Sequence, residues 1–144
     1  MSKTTLSSTS GSSSIEEREF LLFFGKSEGF WAHTLKGFSH CFIGETRADI
    51  LIIFEPLFSG GSFELLELPI ETDDCLTVLS IRVKSTHKNR LIKPTFQTCS
   101  TLVQYMAGIN LGPITPQGLY EALTLSDAKW LKRRGVLEVK AWEK

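Results

Sequence analysis

The groups in this 144-residue chain whose types and placement could do chemistry are an imidazole inside an apolar run and a thiol at the start of a helix. His40 lies in Gly37-Phe38-Ser39-His40-Cys41-Phe42-Ile43, where its ring must find hydrogen-bond partners or lose hydration without compensation. Taken alone, it reads as a half-buried strand histidine satisfied by backbone groups, or as a base or metal ligand. Cys99 falls in the first turn of a helix expected after Pro94, where unpaired N–H groups and the helix dipole stabilise a thiolate. Taken alone, it also reads as a small buried hydrophobe. Taken together, a cysteine at a helix N-terminus facing a histidine on an adjacent sheet generates a nucleophile with its own proton acceptor. The chemistry would be attack on an amide or ester carbonyl, with water or an acceptor resolving the acyl-enzyme.

Such an imidazole needs a third polar group to orient it, and Glu55 is the candidate. If the joint after the histidine strand is a two- or four-residue hairpin loop, paired positions sum to an odd number. His40 then shares a face with Ile53 and Glu55. An odd loop length would turn Glu55 to the other face, and a solvated carboxylate beside Pro56 is the plainer alternative.

The remaining candidates are weaker. His33 and His87 stand in polar surroundings and read as surface residues. Cys41 follows His40 directly, so in a regular strand it points to the opposite face. Cys75 follows Asp73 and Asp74, whose charge disfavours a thiolate. A zinc site from His40, Cys99 and Glu55 would have only three ligands and no local spacing, so no metal and no cofactor is called for. Glycine-rich phosphate loops, zincin histidine pairs and Gly-x-Ser-x-Gly elbows are absent from the sequence.

The elements that must position these residues are legible from spacing. Short apolar bursts at Phe20–Phe24, Phe38–Ile43, Ile50–Phe58, Phe63–Leu68 and Leu76–Val83 have strand length. Polar or glycine-rich joints at Glu45–Asp49 and Ser59–Ser62 separate them, which predicts three or four sequential strands in an antiparallel meander. After Pro94 the period changes to that of a helix, with Cys99, Leu102, Val103 and Met106 on one face. Thr95 or Thr98 would cap it and Gly108 would end it. Thr115-Pro116 marks a second helix start and Ser126 a third, and Val136–Trp142 alternates as a last strand. The fold class expected is α+β, an antiparallel sheet packed against two to three helices. Residues 15–144 would form a single domain, preceded by a flexible Ser/Thr/Gly-rich arm over residues 1–14.

The segment Phe96-Gln97-Thr98-Cys99-Ser100-Thr101-Leu102-Val103-Gln104-Tyr105-Met106-Ala107-Gly108-Ile109, followed by Thr115-Pro116, resembles the nucleophile helix of circularly permuted papain-like proteins. In these the histidine strand precedes the cysteine helix, as in lecithin retinol acyltransferase-like proteins and in uncharacterised proteins of bacteriophages and bacteria. Phe38–Ile43 is similar to their histidine strand and Ile50–Pro56 to the strand after it, so the resemblance spans Gly37 to Leu123. It implies a permuted papain-like fold with Cys99 as nucleophile and His40 as base, and it favours peptide or peptidoglycan amide bonds. The second histidine of the acyltransferase-like group has no counterpart in Ile50–Pro56, which speaks against lipid acyl transfer.

Composition bounds the partners. Hydrophobic residues are 42% and charged residues 22% of the chain, as in an ordinary globular domain, and no apolar stretch reaches the roughly 18 residues of a membrane span. Sixteen basic residues balance sixteen acidic ones, so no overall field attracts nucleic acid. The basic group Lys129, Lys132, Arg133 and Arg134 reads as the solvated end of a helix. Three cysteines and a start without a secretory signal fit a cytoplasmic or virion setting. The arm would find its partners in other protein subunits. A non-enzymatic component of an assembly such as a bacteriophage virion is thus the alternative function.

Overall fold

The computed structural model describes residues 15–26, 37–57, 60–67, 76–86 and 98–142. The arm over 1–14, His33, Cys75, His87 and Thr95 lie outside the described residues.

The order is β1 (Ile15–Gly25), β2 (His40–Arg47), β3 (Ile50–Leu57), β4 (Gly60–Glu67), β5 (Thr77–Thr86), α1 (Cys99–Ala107), α2 (Pro116–Leu125), α3 (Ala128–Arg133) and β6 (Val136–Ala141). The strands form one six-stranded sheet in the order β4-β3-β2-β1-β5-β6, with every neighbouring pair antiparallel. The α+β class is therefore observed, as is a meander over the first four strands. β5 then takes the free edge of β1, and β6 follows beside β5. Among the described residues no helix is long and apolar enough to cross a membrane.

β1 is central because Phe20-Leu21-Leu22-Phe23-Phe24 is apolar at every position. Alternation sends Phe20, Leu22 and Phe24 to one face and Leu21 and Phe23 to the other, and all five are buried. On the first face they join Cys41, Ile43, Leu79 and Ile81 beneath Val103, Ala107, Leu119 and Leu123 of the helices. On the second face Leu21 and Phe23 join Leu51, Ile53 and Val78, and Phe42 stacks on Phe23 at a centroid distance of 4.7 Å.

The turn between β2 and β3 is shorter than the polar joint suggested. Register runs from Ile43↔Phe54 to Arg47↔Ile50, which leaves Ala48 and Asp49 as a two-residue loop with Ala48 at φ 54°. Paired numbers sum to an odd value, the parity that sets Glu55 on the face of His40.

The helices begin and end for local reasons. Thr98 caps α1 reciprocally: its Oγ1 accepts from Thr101 N at 3.1 Å, while Thr98 N donates to Thr101 Oγ1 at 2.7 Å. Gly108, at φ 77°, ends the helix in the left-handed conformation expected of it. Thr115 caps α2, with Pro116 at its first position.

Two expectations are corrected. The cap of α3 is Asp127, not Ser126, which instead closes α2. The buried face of α1 carries Ser100, Val103, Gln104 and Ala107, while Met106 is 38% exposed. Two polar residues displace apolar ones inward because the turn after α1 needs partners for its backbone. Gln104 Nε2 and Ser100 Oγ both donate to the carbonyl of Pro113, at 2.8 and 3.0 Å, and Gln104 Oε1 accepts from Leu111 N at 2.8 Å.

The basic group behaves as a helix end. Lys132 and Arg133 stand in the last turn of α3, and the Arg134 guanidinium lies over the Trp130 ring at 4.7 Å.

Candidate active site

The cap at Thr98 fixes Cys99 as the first residue of α1, so the thiol sits where the dipole and the unpaired N–H groups act most strongly. The Thr98 hydroxyl also donates to Ile114 O at 2.7 Å, which ties this helix end to the segment leading into α2. Cys99 is half-buried and packs against the cluster that contains Cys41.

His40 opens β2. The strand start is held from both sides: Ser39 N donates to Gly25 O at 3.0 Å, and Phe38 N donates to Gln117 Oε1 of α2 at 3.0 Å. Gly37 enters this approach at φ 69°, where a β-carbon would collide with the Gln117 side chain. The rings of Phe24, Phe38 and Tyr120 meet at 5.0–5.6 Å between centroids and seat the segment on the helices.

The third group is where parity put it. His40 Nε2 lies 2.8 Å from Glu55 Oε2, and the two side chains are 22% and 39% exposed. Phe42 borders the imidazole at 5.9 Å. With Nε2 engaged by the carboxylate, Nδ1 is the nitrogen available to exchange a proton with a sulfur.

Cys99 reaches this group because of how the strands end. The β2–β3 ladder stops at Ile43↔Phe54, although β2 begins three residues earlier and β3 continues three residues further. If the register ran on, Pro56 would stand opposite Cys41, and a proline has no N–H for a ladder. α1 meets the sheet at this unregistered end, and its first residue contacts both consecutive residues of β2. The Cys41 thiol, the Cys41 backbone and the His40 ring are the groups that act on the Cys99 sulfur.

The electrostatics follow from these contacts. The Cys41 thiol, donating to the Cys99 sulfur, is the largest influence that lowers the Cys99 pKa. The His40 hydrogen bond, the Cys41 backbone and the imidazolium charge add to it and outweigh burial, so the thiol falls to about 5. His40 is raised above its usual 6.5, first by its bond to Cys99 and then by Glu55, against burial. Cys41 is pushed well up, first by donating to Cys99 and then by burial. Above about pH 5 the site therefore holds a Cys99 thiolate beside a Cys41 thiol and a His40 ring whose charged form is favoured.

Cys99, His40 and Glu55, singled out from sequence, come together. Cys41 is the member that sequence reasoning missed. It does point away from the His40 ring toward the helical layer, but the helix start lies in that layer, and the same alternation that separates it from His40 hands it to Cys99. Two consecutive strand residues that each offer a proton donor, opposite a helix-start cysteine, were the available signal. Among the described residues, no group of three or more His, Cys, Asp and Glu side chains is arranged to hold a metal ion. No family model, no curated protein and no solved structure matches this chain.

Proposed function

We propose that this chain is a cysteine-dependent hydrolase or acyltransferase of the permuted papain-like type, acting on amide or ester bonds. One observation carries the reading: a helix-start cysteine stands beside an imidazole that a carboxylate holds at 2.8 Å. An isolated helix-start cysteine lacks the proton carrier, and an isolated strand histidine lacks the nucleophile.

In this mechanism the Cys99 thiolate attacks the carbonyl carbon. The carbonyl electrons move to oxygen, where N–H groups at the start of α1 stabilise the oxyanion. Thr101 N and Leu102 N are taken by Thr98, so the N–H groups of Cys99 and Ser100 are the ones placed for this task. His40 gives its proton to the leaving amine or alcohol as the C–N or C–O bond breaks, then takes one from the water or acceptor that releases the acyl group. Glu55 orients the ring and stabilises its charged form. Amide bonds of peptide or peptidoglycan type are the favoured substrates, on the resemblance of the Phe96–Ile109 segment and its preceding histidine strand.

The test is acyl-enzyme formation. Incubation with an activated acyl ester, followed by peptide mapping, is expected to place one acyl group on Cys99 and none on a Cys99→Ser variant. If no acyl group accumulates while the fold is intact, the hydrolase reading fails and a binding or structural role replaces it.

A further inference from the structure

The acyl-transfer reading gives Cys41 no chemical step, yet this residue belongs to the core cluster against which the nucleophile packs. Cys41 has no exposed surface and sits in the core between the sheet and the helices, where it and Cys99 influence each other's titration. A free cysteine in a core is ordinarily inert packing. Here the neighbour is a half-buried cysteine, so the pair combines one partly accessible residue with one that has no exposed surface.

We propose that Cys99 and Cys41 form a hydroperoxide-sensitive dithiol, in which Cys99 is oxidised to a sulfenic acid and Cys41 condenses with it to an internal disulfide. This goes beyond acyl transfer and depends only on the two sulfurs. In the first step the Cys99 thiolate attacks one oxygen of a hydroperoxide and the O–O bond breaks. The sulfur keeps that oxygen as S–OH, and the leaving alkoxide or hydroxide takes the proton of the His40 imidazolium. The sulfur is oxidised by two electrons and the peroxide is reduced to an alcohol or to water. In the second step the Cys41 sulfur attacks the Cys99 sulfur, the S–O bond breaks, and hydroxide leaves with the Cys41 proton as water. A dithiol reductant returns the pair to its starting state.

The order of events is set by placement. Cys99 meets the peroxide because it is the more accessible member of the pair, and Cys41 is shielded from the oxidant in the core beneath it. Oxidation also removes the thiolate whose hydrogen bond and charge hold the Cys41 proton in place, which leaves burial alone opposing its release. The disulfide would cap the nucleophile and spare it from the irreversible sulfinic state.

The reduced, full-length protein is treated with one equivalent of hydrogen peroxide near neutral pH, alkylated under denaturing conditions, and mapped without reduction. The expected result is a linked pair of peptides containing Cys41 and Cys99, with Cys75 alkylated and the link reversed by dithiothreitol. In a Cys41→Ser variant, Cys99 is expected to be trapped as a sulfenic acid by dimedone. Should that variant fail to fold, the wild-type map decides alone. Conversion of wild-type Cys99 to a sulfinic acid with Cys41 still alkylated, or an unoxidised Cys99, overturns the proposal. Because the map needs no substrate, a disulfide without an acyl-enzyme sinks only the hydrolase reading, and an acyl-enzyme without a disulfide sinks only this one.

Discussion

The starts of α1 and α2 are built alike and differ in chemistry. Each opens with a threonine in extended conformation whose Oγ1 accepts from the N–H three residues on, at 3.1 Å in both cases, and neither has an acidic residue in its first turn. Each therefore directs a similar dipole at its first residue. In α2 that residue is Pro116, which packs. In α1 it is Cys99, and the start of β2, paired with β1 but not with β3, sets His40 and Cys41 beside it. A helix end alone does not set its first residue apart; what the sheet sets opposite it does.

The strongest way to break this comparison is to remove the proton carrier. His40→Ala is expected to lower acyl transfer by about 10²–10⁴-fold, the usual range for loss of a general acid–base group, while leaving the fold intact. A drop of less than about threefold on a wild-type background that forms the acyl-enzyme would remove His40 from the mechanism. In the wild type the thiolate–imidazolium pair exists above about pH 5, where Cys99 loses its proton, and disappears as pH rises through the His40 value, which lies above 6.5. The pH–rate profile is therefore expected to be bell-shaped, with both limbs belonging to the coupled pair.

A smaller effect should follow Glu55→Gln. The carboxylate is 39% exposed and solvent screens much of its charge, so the alkaline limb should move down only slightly. An unchanged limb would mean that Glu55 holds the ring without tuning it.

The smallest effect sharpens the comparison most finely. Thr98→Ala and Thr115→Ala should each cost about 1 kcal/mol of stability, read by urea denaturation, because each removes one N-cap. Only Thr98→Ala should also shift the titration of Cys99. Equal shifts in both variants would show that the two helix starts are not distinguished by what faces them.

Much of the site was legible because it rests on local rules. Thr115-Pro116 and the stop at Gly108 fixed helix ends, and the parity of a two-residue turn carried Glu55 to the His40 face across fifteen residues of chain. What escaped was set by tertiary packing. Gln104 and Ser100 face inward because the backbone at Leu111 and Pro113 needs them, a demand invisible to apolar periodicity. Cys41 reads as mere packing until the ladder between β2 and β3 is known to stop short of it, with Cys99 packed on the cluster there. The edge taken by β5 was likewise open in the sequence, although an all-apolar β1 already required a neighbour on each side.

The central claim, that the sheet turns the first residue of α1 into a thiolate, is tested most directly by the pH dependence of Cys99 alkylation in the native protein, followed by peptide mapping. The account predicts that Cys99 reacts ahead of Cys41 with a midpoint near 5, and that His40→Ala moves the midpoint up toward the ordinary thiol value of about 8.5. A midpoint already near that ordinary value in the wild type, or one indifferent to His40, would contradict it.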